Sequence, residues 1–449
     1  MKFIQTLKNI WTIQELRQRL TITVLLVLVY RLGCYVVLPG INPNDLDALT
    51  SFTNRSGLMQ LLDMFSGGAF SQASIFALGI MPYITASIVI QLAGMVLPSF
   101  QKMQREGESG RQKLNQYTRY LTVLILLVQG PAYLYNLRAQ VVNAGGSVEM
   151  SFWTVVFLTV ILAAGSMFIM WLGERITDRG IGNGISFIIL VGIIARLPIA
   201  LFYEFTSRLP GSTGNQGGLI MFLVEIGLLF AVTIGAVLLV QGTRKVPVQY
   251  AKRIVGSKQY GGARQYIPLK VNAAGVMPII FAQAIMFIPI TLAGFGSSES
   301  STGFFATFSD INGFWYNAVY FIMIVAFTYF YTAITVRPTQ MAEEMKRNNG
   351  FIPGVKPGKK TAEYLDSIMS RITLPGSLFL GIVAILPAFA RCFGISQNFA
   401  QFFGGTSLLI MVGVVLDTLQ QIESHLMMHH YDGLMKEGKI KGRTTGSAY

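Results

Sequence analysis

Ten apolar runs follow one another along the chain, each bounded by polar or charged clusters. They lie at roughly 20–38, 75–97, 119–137, 152–173, 184–201, 219–240, 273–293, 315–336, 372–390 and 406–424. A helix rises about 1.5 Å per residue, so runs of this length cross the roughly 30 Å of hydrocarbon in a bilayer. The pattern predicts ten membrane spans. The ninth is interrupted by Pro375 and Pro387 and has the weakest support from hydropathy. Ahead of the second lies a shorter apolar stretch, Leu58 to Phe65, that stops at Gly67-Gly68. It is too short to span and reads as a re-entrant or surface helix with a glycine terminator. Before the first span, Phe3, Ile4, Leu7, Ile10 and Trp11 recur at helical spacing among polar residues, which suits a helix lying on the inner membrane surface. No cleavable signal sequence is visible there.

The second and seventh runs carry nearly the same six residues, Gly79-Ile80-Met81-Pro82-Tyr83-Ile84 and Gly275-Val276-Met277-Pro278-Ile279-Ile280. The copies start 196 residues apart, one in each half of the 449-residue chain. Alternating loops make the two helices run in opposite directions. Related halves of opposed topology, with short or broken helices at matching positions, place a substrate path at their interface. Each proline is expected to remove one helical hydrogen bond and leave a bend.

Apolar residues make up 52% of the chain and charged residues 12%, against about a quarter charged in a soluble protein. The class is therefore polytopic and helical. Basic residues orient it. The N-terminal segment, alternate connections after it and the C-terminal tail hold 29 of the 35 Lys and Arg. The opposite loops hold five, Arg55, Arg138, Arg196, Arg208 and Arg391, and Arg31 lies within the first span. Basic residues mark the cytoplasmic face, which puts both termini in the cytoplasm.

Two connections on that face are large. Gln241 to Asn272 holds seven basic residues and no acid, interleaved with Tyr250, Tyr260 and Tyr266. Arg337 to Arg371 holds seven against Glu343, Glu344, Glu363 and Asp366, with Pro353, Gly354, Pro357 and Gly358 at its tip. Attraction to anionic lipid is one reading. A shaped tip favours the other, a large acidic partner such as ribosomal RNA.

Catalytic constellations are missing from the sequence. The three histidines, His425, His429 and His430, fall at the end of the last span and in the tail, where surface residues near headgroups are a better reading than a metal site. No Gly-x-Ser-x-Gly, His-Glu-x-x-His or phosphate-binding Gly-x-x-x-x-Gly-Lys-Ser/Thr pattern occurs, and each of those chemistries needs its pattern. Glu225 and Asp417 lie within spans, without the paired mid-depth groups that a proton-coupled carrier needs, and read as helix-end or interface acids. Cys34 and Cys392 could pair, but two cysteines define no framework, and buried small apolar residues is the better reading.

The run Met64-Phe65-Ser66-Gly67-Gly68-Ala69-Phe70-Ser71, continued by Ala77-Leu78 and the first hexapeptide, resembles the SecY family of protein-conducting channels in bacterial secretion. So do Glu106 to Arg111 (Glu-Gly-Glu-Ser-Gly-Arg), Arg179 to Ser186 (Arg-Gly-Ile-Gly-Asn-Gly-Ile-Ser), Pro268 to Asn272 and Phe403 to Ile410. The motifs occur in order along essentially the whole chain.

That resemblance implies an all-α fold of ten spans in two inverted, pseudo-symmetric halves, a clamshell around an hourglass pore. The divisions are a cytoplasmic amphipathic segment, 1–19; an N-terminal half, 20–201, with a plug at 57–74; an external connection, 202–218; a C-terminal half, 219–424, with cytoplasmic loops 241–272 and 337–371; and a tail, 425–449. Carried over by motif, the pore ring falls on Ile80, Ile84, Ile185, Ile189, Ile280 and Ile410. A narrow ring of branched apolar side chains wets poorly and seals around a passing chain without binding it. The plug involves Leu61, Leu62, Met64, Phe65, Gly67 and Gly68. The lateral gate involves Pro82, Ser87, Gln91, Asn272 and Pro278; Gln91 and Asn272 resemble a polar cluster whose interhelical hydrogen bonds supply about 0.6–2 kcal/mol each. Arg244, Lys245, Lys252, Arg253 and Lys356 are the expected docking charges for a motor or ribosome. At the last of these the family has Pro-Gly-x-Arg-Pro-Gly where this chain has Pro353-Gly354-Val355-Lys356-Pro357-Gly358, which keeps the charge and loses the bidentate fork.

The function implied is a passive channel of the Sec translocon in the bacterial inner membrane, passing unfolded secretory chains and releasing hydrophobic segments into lipid. SecE and SecG subunits, the SecA motor, the ribosome, preproteins with their signal sequences and membrane lipids are the implied partners; no cofactor, metal or catalytic residue is. A secondary transporter of small solutes is the alternative that the inverted repeat alone permits, and an intramembrane enzyme lacks its constellation. If the hexapeptide spans flank a gate, a disulfide across that seam locks transport. Ser87→Cys paired with a cysteine between Phe281 and Ala284 is expected to block preprotein transport when oxidised and to restore it on reduction. Full transport with the disulfide quantitatively formed places the gate elsewhere.

Overall fold

In the computed structural model the described residues are 13–41, 63–143, 151–209, 218–250, 253–255, 258–260, 264–283, 285–286 and 313–436. Leu61, Leu62 and Lys252 lie outside them, as does the N-terminal stretch before residue 13. The protein is an α-helical polytopic membrane protein. Seven helices among the described residues are long and apolar enough to cross a bilayer, or eight if a pair bent by 101°, Met81–Gly94 and Pro98–Gln104, counts as one span. The chain divides into two compact units, Met1–Arg196 with Val414–Tyr449, and Leu197–Gly413.

The first unit begins with α1 (Gln14–Gly33), whose opening turns carry Glu15, Arg17 and Arg19 before the apolar part. The apolar run to residue 38 outlasts this helix. Residues 36–38 leave it to meet the segment before the second span, Leu38 N–H donating to Ala73 O at 2.9 Å and Ile75 N–H to Val36 O at 2.9 Å. The second span starts at Met81 rather than 75: residues 75–80 are turns, and Gly79 adopts φ 56°, a conformation open chiefly to glycine. There follow α2 (Met81–Val96), α3 (Pro98–Arg105), α4 (Glu108–Asn143), α5 (Phe152–Arg179) and α6 (Gly184–Ser207). Pro82 stands in the first turn of α2, where its missing N–H has no helical acceptor to lose. The expected bend inside the span is therefore replaced by a helix start. Leu38, Phe70, Ala73, Tyr133, Leu134, Leu158 and Leu162 form one buried core. Gly165 on α5 faces the carbonyl of Ile75 so closely that a side chain there would clash.

In the second unit α7 (Gly218–Gln241) leads into a small β-sheet in the connection that follows it. Strand β1 (Thr243–Tyr250) pairs antiparallel with β4 (Arg264–Lys270) and with β5 (Gly350–Phe351), while β2 (Arg253–Val255) and β3 (Lys258–Tyr260) form a separate hairpin. Val246 and Val248 alternate inward, toward Leu269, Met345, Ile352, Leu365 and Met369. The two basic connections thus form one body. Helix α8 (Phe314–Thr335) lies between them in sequence, α9 (Pro338–Arg347) lies within the second and α10 (Lys359–Cys392) begins in it, followed by α11 (Gln397–Ala400) and α12 (Gly405–Lys436), which from Val414 belongs to the first unit.

Helix α10 runs through Pro375 and Pro387 without a break. Proline 387 leaves the Val383 carbonyl without its helical donor, and Gly404 lies against that carbonyl with no room for a side chain. Close backbone approach of this kind is how a helix in lipid tolerates an interior proline.

Arg208, assigned by charge counting to an external loop, is buried. Its Nε donates to Glu204 Oε1 at 3.1 Å and its Nη2 to Glu225 Oε1 at 2.7 Å and to Gly394 O at 3.0 Å. The three charged side chains are 3%, 1% and 2% exposed, so Glu225 is a buried partner and not an interface acid. Removing one member of such a group leaves charge uncompensated at low dielectric and costs about 3–5 kcal/mol. Arg208→Leu is therefore expected to lower the thermal unfolding temperature of the purified protein sharply, and Lys359→Ala, at an exposed position, to shift stability by no more than about 0.5 kcal/mol. Equal unfolding temperatures for the two variants would remove the network from the determinants of stability.

Candidate functional site

Residues 63–80, between α1 and α2, are mostly turns enclosed by helices. Only Asp63 to Phe65 is helical. Met64 and Phe65 are buried, and Gly67 and Gly68 take φ 67° and 94°. Gly67 passes within van der Waals contact of Gly192 on α6, where a Cβ would come within 3.0 Å of its Cα. Such close backbone approach requires glycine.

Side chains from the surrounding helices donate to carbonyls of these turns. Tyr30 Oη donates to Ser66 O at 3.1 Å, Arg31 Nη1 to Gly67 O at 2.8 Å, and Tyr133 Oη to Phe70 O at 3.1 Å. Cys34, a buried free thiol, lies 3.9 Å from Ser66 O. Arg196 of α6 forms an ion pair with Asp63 and donates from Nη2 to Ser71 Oγ at 2.9 Å. Burial pushes the Asp63 carboxyl up, and Arg196 and Ser71 pull against that rise. Arg31 and Arg196 had no place in the sequence-based site, since only the fold brings them to Gly67 and Asp63.

All six isoleucines are buried or half-buried. Ile80 and Ile189 are buried and Ile84 and Ile185 half-buried in the first unit, with Ile80/Ile84 and Ile185/Ile189 each one turn apart. In the second unit Ile280 is half-buried and Ile410 buried. Around the second hexapeptide Gly275 takes φ 64° and the helix begins at residue 277, the same local geometry as Gly79 and Met81. Pro82 and Pro278 are both buried.

The expected gate polar groups fall in different units. Gln91, half-buried, has its Nε2 3.5 Å from Ser87 Oγ on its own helix. Asn272 is buried, and its Oδ1 has no partner among the described residues. Sequence reasoning overlooked a buried polar chain in the second unit: Thr406 Oγ1 donates to Gln283 Oε1 at 2.7 Å, with Tyr320 Oη 3.3 Å away.

On the sheet body Arg244, Lys245 and Lys270 are exposed, together with Lys346, Arg347, Lys356, Lys359 and Lys360. Arg253 lies on β2. Pairing of β1 with β5, Gln249 opposite Phe351 and Tyr250 opposite Gly350, brings the two basic connections onto one scaffold.

A family model described as SecY matches residues 74–419. A protein translocase subunit SecY from Streptomyces galbus is 42% identical over 436 residues, covering 94% of this chain and 97% of that protein. Among solved structures, one described as a protein conducting channel superposes with a TM-score of 0.61 at 18% identity, covering 91% of this chain and 92% of the other. Canine Sec61 in a ribosome–channel complex from the endoplasmic reticulum superposes with a TM-score of 0.57 at 17% identity, with the same coverages.

If the isoleucines line a constriction, Ile84→Ser and Ile280→Ser admit water and raise ion leak, because polar side chains wet the narrowing. Planar-bilayer conductance reads this directly. Unchanged conductance in both variants would take these residues out of any constriction.

Proposed function

The chain belongs to the SecY family, and from that premise we propose how its parts share the work of a Sec translocon. It is a channel-forming translocase subunit and not an enzyme. The observation that carries the reading is the 42% identity to a SecY translocase subunit over 94% of the chain. Unfolded secretory polypeptides pass through it, and hydrophobic segments leave sideways into the bilayer.

In the proposed arrangement the halves 20–201 and 219–424 face each other across the pore, with Ile80, Ile84, Ile185, Ile189, Ile280 and Ile410 as the ring. The segment around Met64, Phe65, Gly67 and Gly68 is the plug. Its many side-chain tethers support this role, since irregular backbone at membrane depth persists only where protein satisfies it. The helices that start at Pro82 and near Pro278 flank the lateral gate, with Ser87, Gln91 and Asn272 along it; the unpartnered Asn272 Oδ1 is the kind of group that a mating helix satisfies. Small SecE and SecG subunits complete the complex in the bacterial inner membrane, and the bias of Lys and Arg supports cytoplasmic termini.

The sheet body is the proposed docking face for the SecA motor and the ribosome, through Arg244, Lys245, Arg253 and Lys356. Its exposed basic residues cluster and outnumber the exposed acids Glu343, Glu344, Glu363 and Asp366, which favours an acidic partner. Reconstitution with SecA and a preprotein is expected to give ATP-driven transport; solute uptake without a motor would instead establish a carrier. Replacing Arg244, Lys245 and Lys356 by Gln is expected to weaken docking and flatten its salt dependence, because each lost contact lowers the slope of log affinity against log salt. Unchanged affinity and slope for both partners would leave those residues to lipid alone.

A further inference from the structure

Among the described residues, one ion pair ties the 63–80 segment to a membrane span. Asp63 is fully buried at 0% exposure, and Arg196 on α6 is 28% exposed. The acid is also held by its own segment: Ser71 N–H donates to Asp63 Oδ1 at 2.7 Å, and Ser66 Oγ and Gly68 N–H both donate to Asp63 O, at 3.1 and 2.8 Å. Residues 63–71 thus close on themselves into a small body that carries its carboxylate toward α6. Arg196 reaches this body twice, at Asp63 and at Ser71 Oγ. Gly68, with φ 94°, leaves the space that the guanidinium occupies, for a Cβ there would lie 3.3 Å from Nη2.

The remaining tethers differ in kind. Tyr30, Arg31 and Tyr133 donate to main-chain carbonyls, which every residue type supplies equally. The Asp63 contact depends on the side chain and on its charge. If the segment leaves its seat, Asp63 departs with Ser71, while Arg196 stays on the wall of α6 without its acid. Parting a fully buried carboxylate from its cation is costly, so the pair favours the seated arrangement more than a neutral contact of the same size.

We infer that Asp63 and Arg196 form an electrostatic latch that holds the 63–80 segment in its closed seat and that must part before the channel opens. Both are positioning residues, and the proposal rests on the channel reading. Arg196 supplies the fixed half, Asp63 the moving half, and Ser71 keeps the carboxylate aimed when the two separate.

Cys34 provides a reporter already in place, since its buried thiol lies under Ser66. In a Cys392→Ser background of the reconstituted complex, a membrane-impermeant maleimide reaches Cys34 only when the segment lifts. Asp63→Asn and Arg196→Gln are each expected to speed labelling by about tenfold or more, as breaking a buried pair shifts the balance between seated and lifted states. Arg196→Lys keeps the charge without the fork and is expected to stay within about threefold of the parent. Unchanged labelling in both neutral variants would overturn the latch, and so would equal rates for Arg196→Lys and Arg196→Gln, which would assign the effect to packing. Motor-driven transport by the parent preparation tests the channel reading separately: its absence would sink that reading whatever Cys34 reports, and its presence with unchanged labelling would sink the latch alone.

Discussion

Carbonyl groups that no helix can use decide how the first unit is built. Within a bilayer an unsatisfied backbone group costs several kcal/mol, and irregular backbone survives there only when protein supplies its partners. Residues 63–80 are mostly turns, whose short internal hydrogen bonds are supplemented by donors from elsewhere. Tyr30 and Arg31 of α1 and Tyr133 of α4 donate to carbonyls of this segment, and Arg196 of α6 donates to the Ser71 hydroxyl and pairs with Asp63. Three helices of the first unit therefore converge on this segment. The extended pairing of 36–38 with 73–75 does the same for main-chain groups on the other side of the segment. A segment fixed by many weak donors can be released in steps, since no single hydrogen bond contributes more than about 1–3 kcal/mol.

Hydrophobic patterning carried most of the helical architecture, and it failed where one signal has two physical sources. Pro82 reads as a kink when the apolar run is taken to start at 75, yet the helix starts at Met81 and places the proline in its first turn. The length of an apolar run does not distinguish buried turns from helix, because both are dry. Arg196 and Arg208 counted as loop charges since charge counting treats every Arg near a span end as solvated. Their acids lie far off in sequence or on a neighbouring helix, Asp63 and Glu225, and only tertiary packing pairs them. The sheet was partly legible: Val246 and Val248 alternate at the period of a strand, but Pro247 between them and the basic residues before them gave no strand signal. Its partner strand β5, two residues long, has no sequence signal of its own.

The repeated hexapeptide turns out to encode one local event twice. In each copy a glycine with positive φ stops the preceding turns, and a helix begins two residues later with proline buried in its first turn. The isoleucine two positions beyond the proline, Ile84 or Ile280, is half-buried in both. Such a start is sharp, because the glycine admits a backbone reversal and the proline arrives with its φ already near the helical value. A sharp start fixes where the first side chains of a span point, which a frayed start does not. Placing a half-buried isoleucine one turn inside a helix is thus achieved, in each unit, by six residues acting locally, without help from distant contacts.

Both units bury arginine against carboxylate, and the settings differ in what would move. Arg208, just past the end of α6, joins Glu204 on that helix, Glu225 on α7 and the turn at Gly394, while Glu204 Oε2 accepts from Ser396 N–H at 3.2 Å. Those groups belong to helices and their junctions, so parting them disturbs packing throughout that end of the unit. Asp63, by contrast, belongs to a body closed by its own hydrogen bonds, and Arg196 to a helix with its own core contacts; the two can separate while each keeps its fold. Desolvation makes either pair costly to break by substitution. Reversible separation, however, is cheap only where water can reach the stranded charge. Arg196 retains 28% exposure against 3% for Arg208, which makes it the better hydrated of the two when its acid departs. The same chemistry therefore serves as a fixed joint in one unit and as a releasable contact in the other, with exposure of the arginine as the physical difference between them.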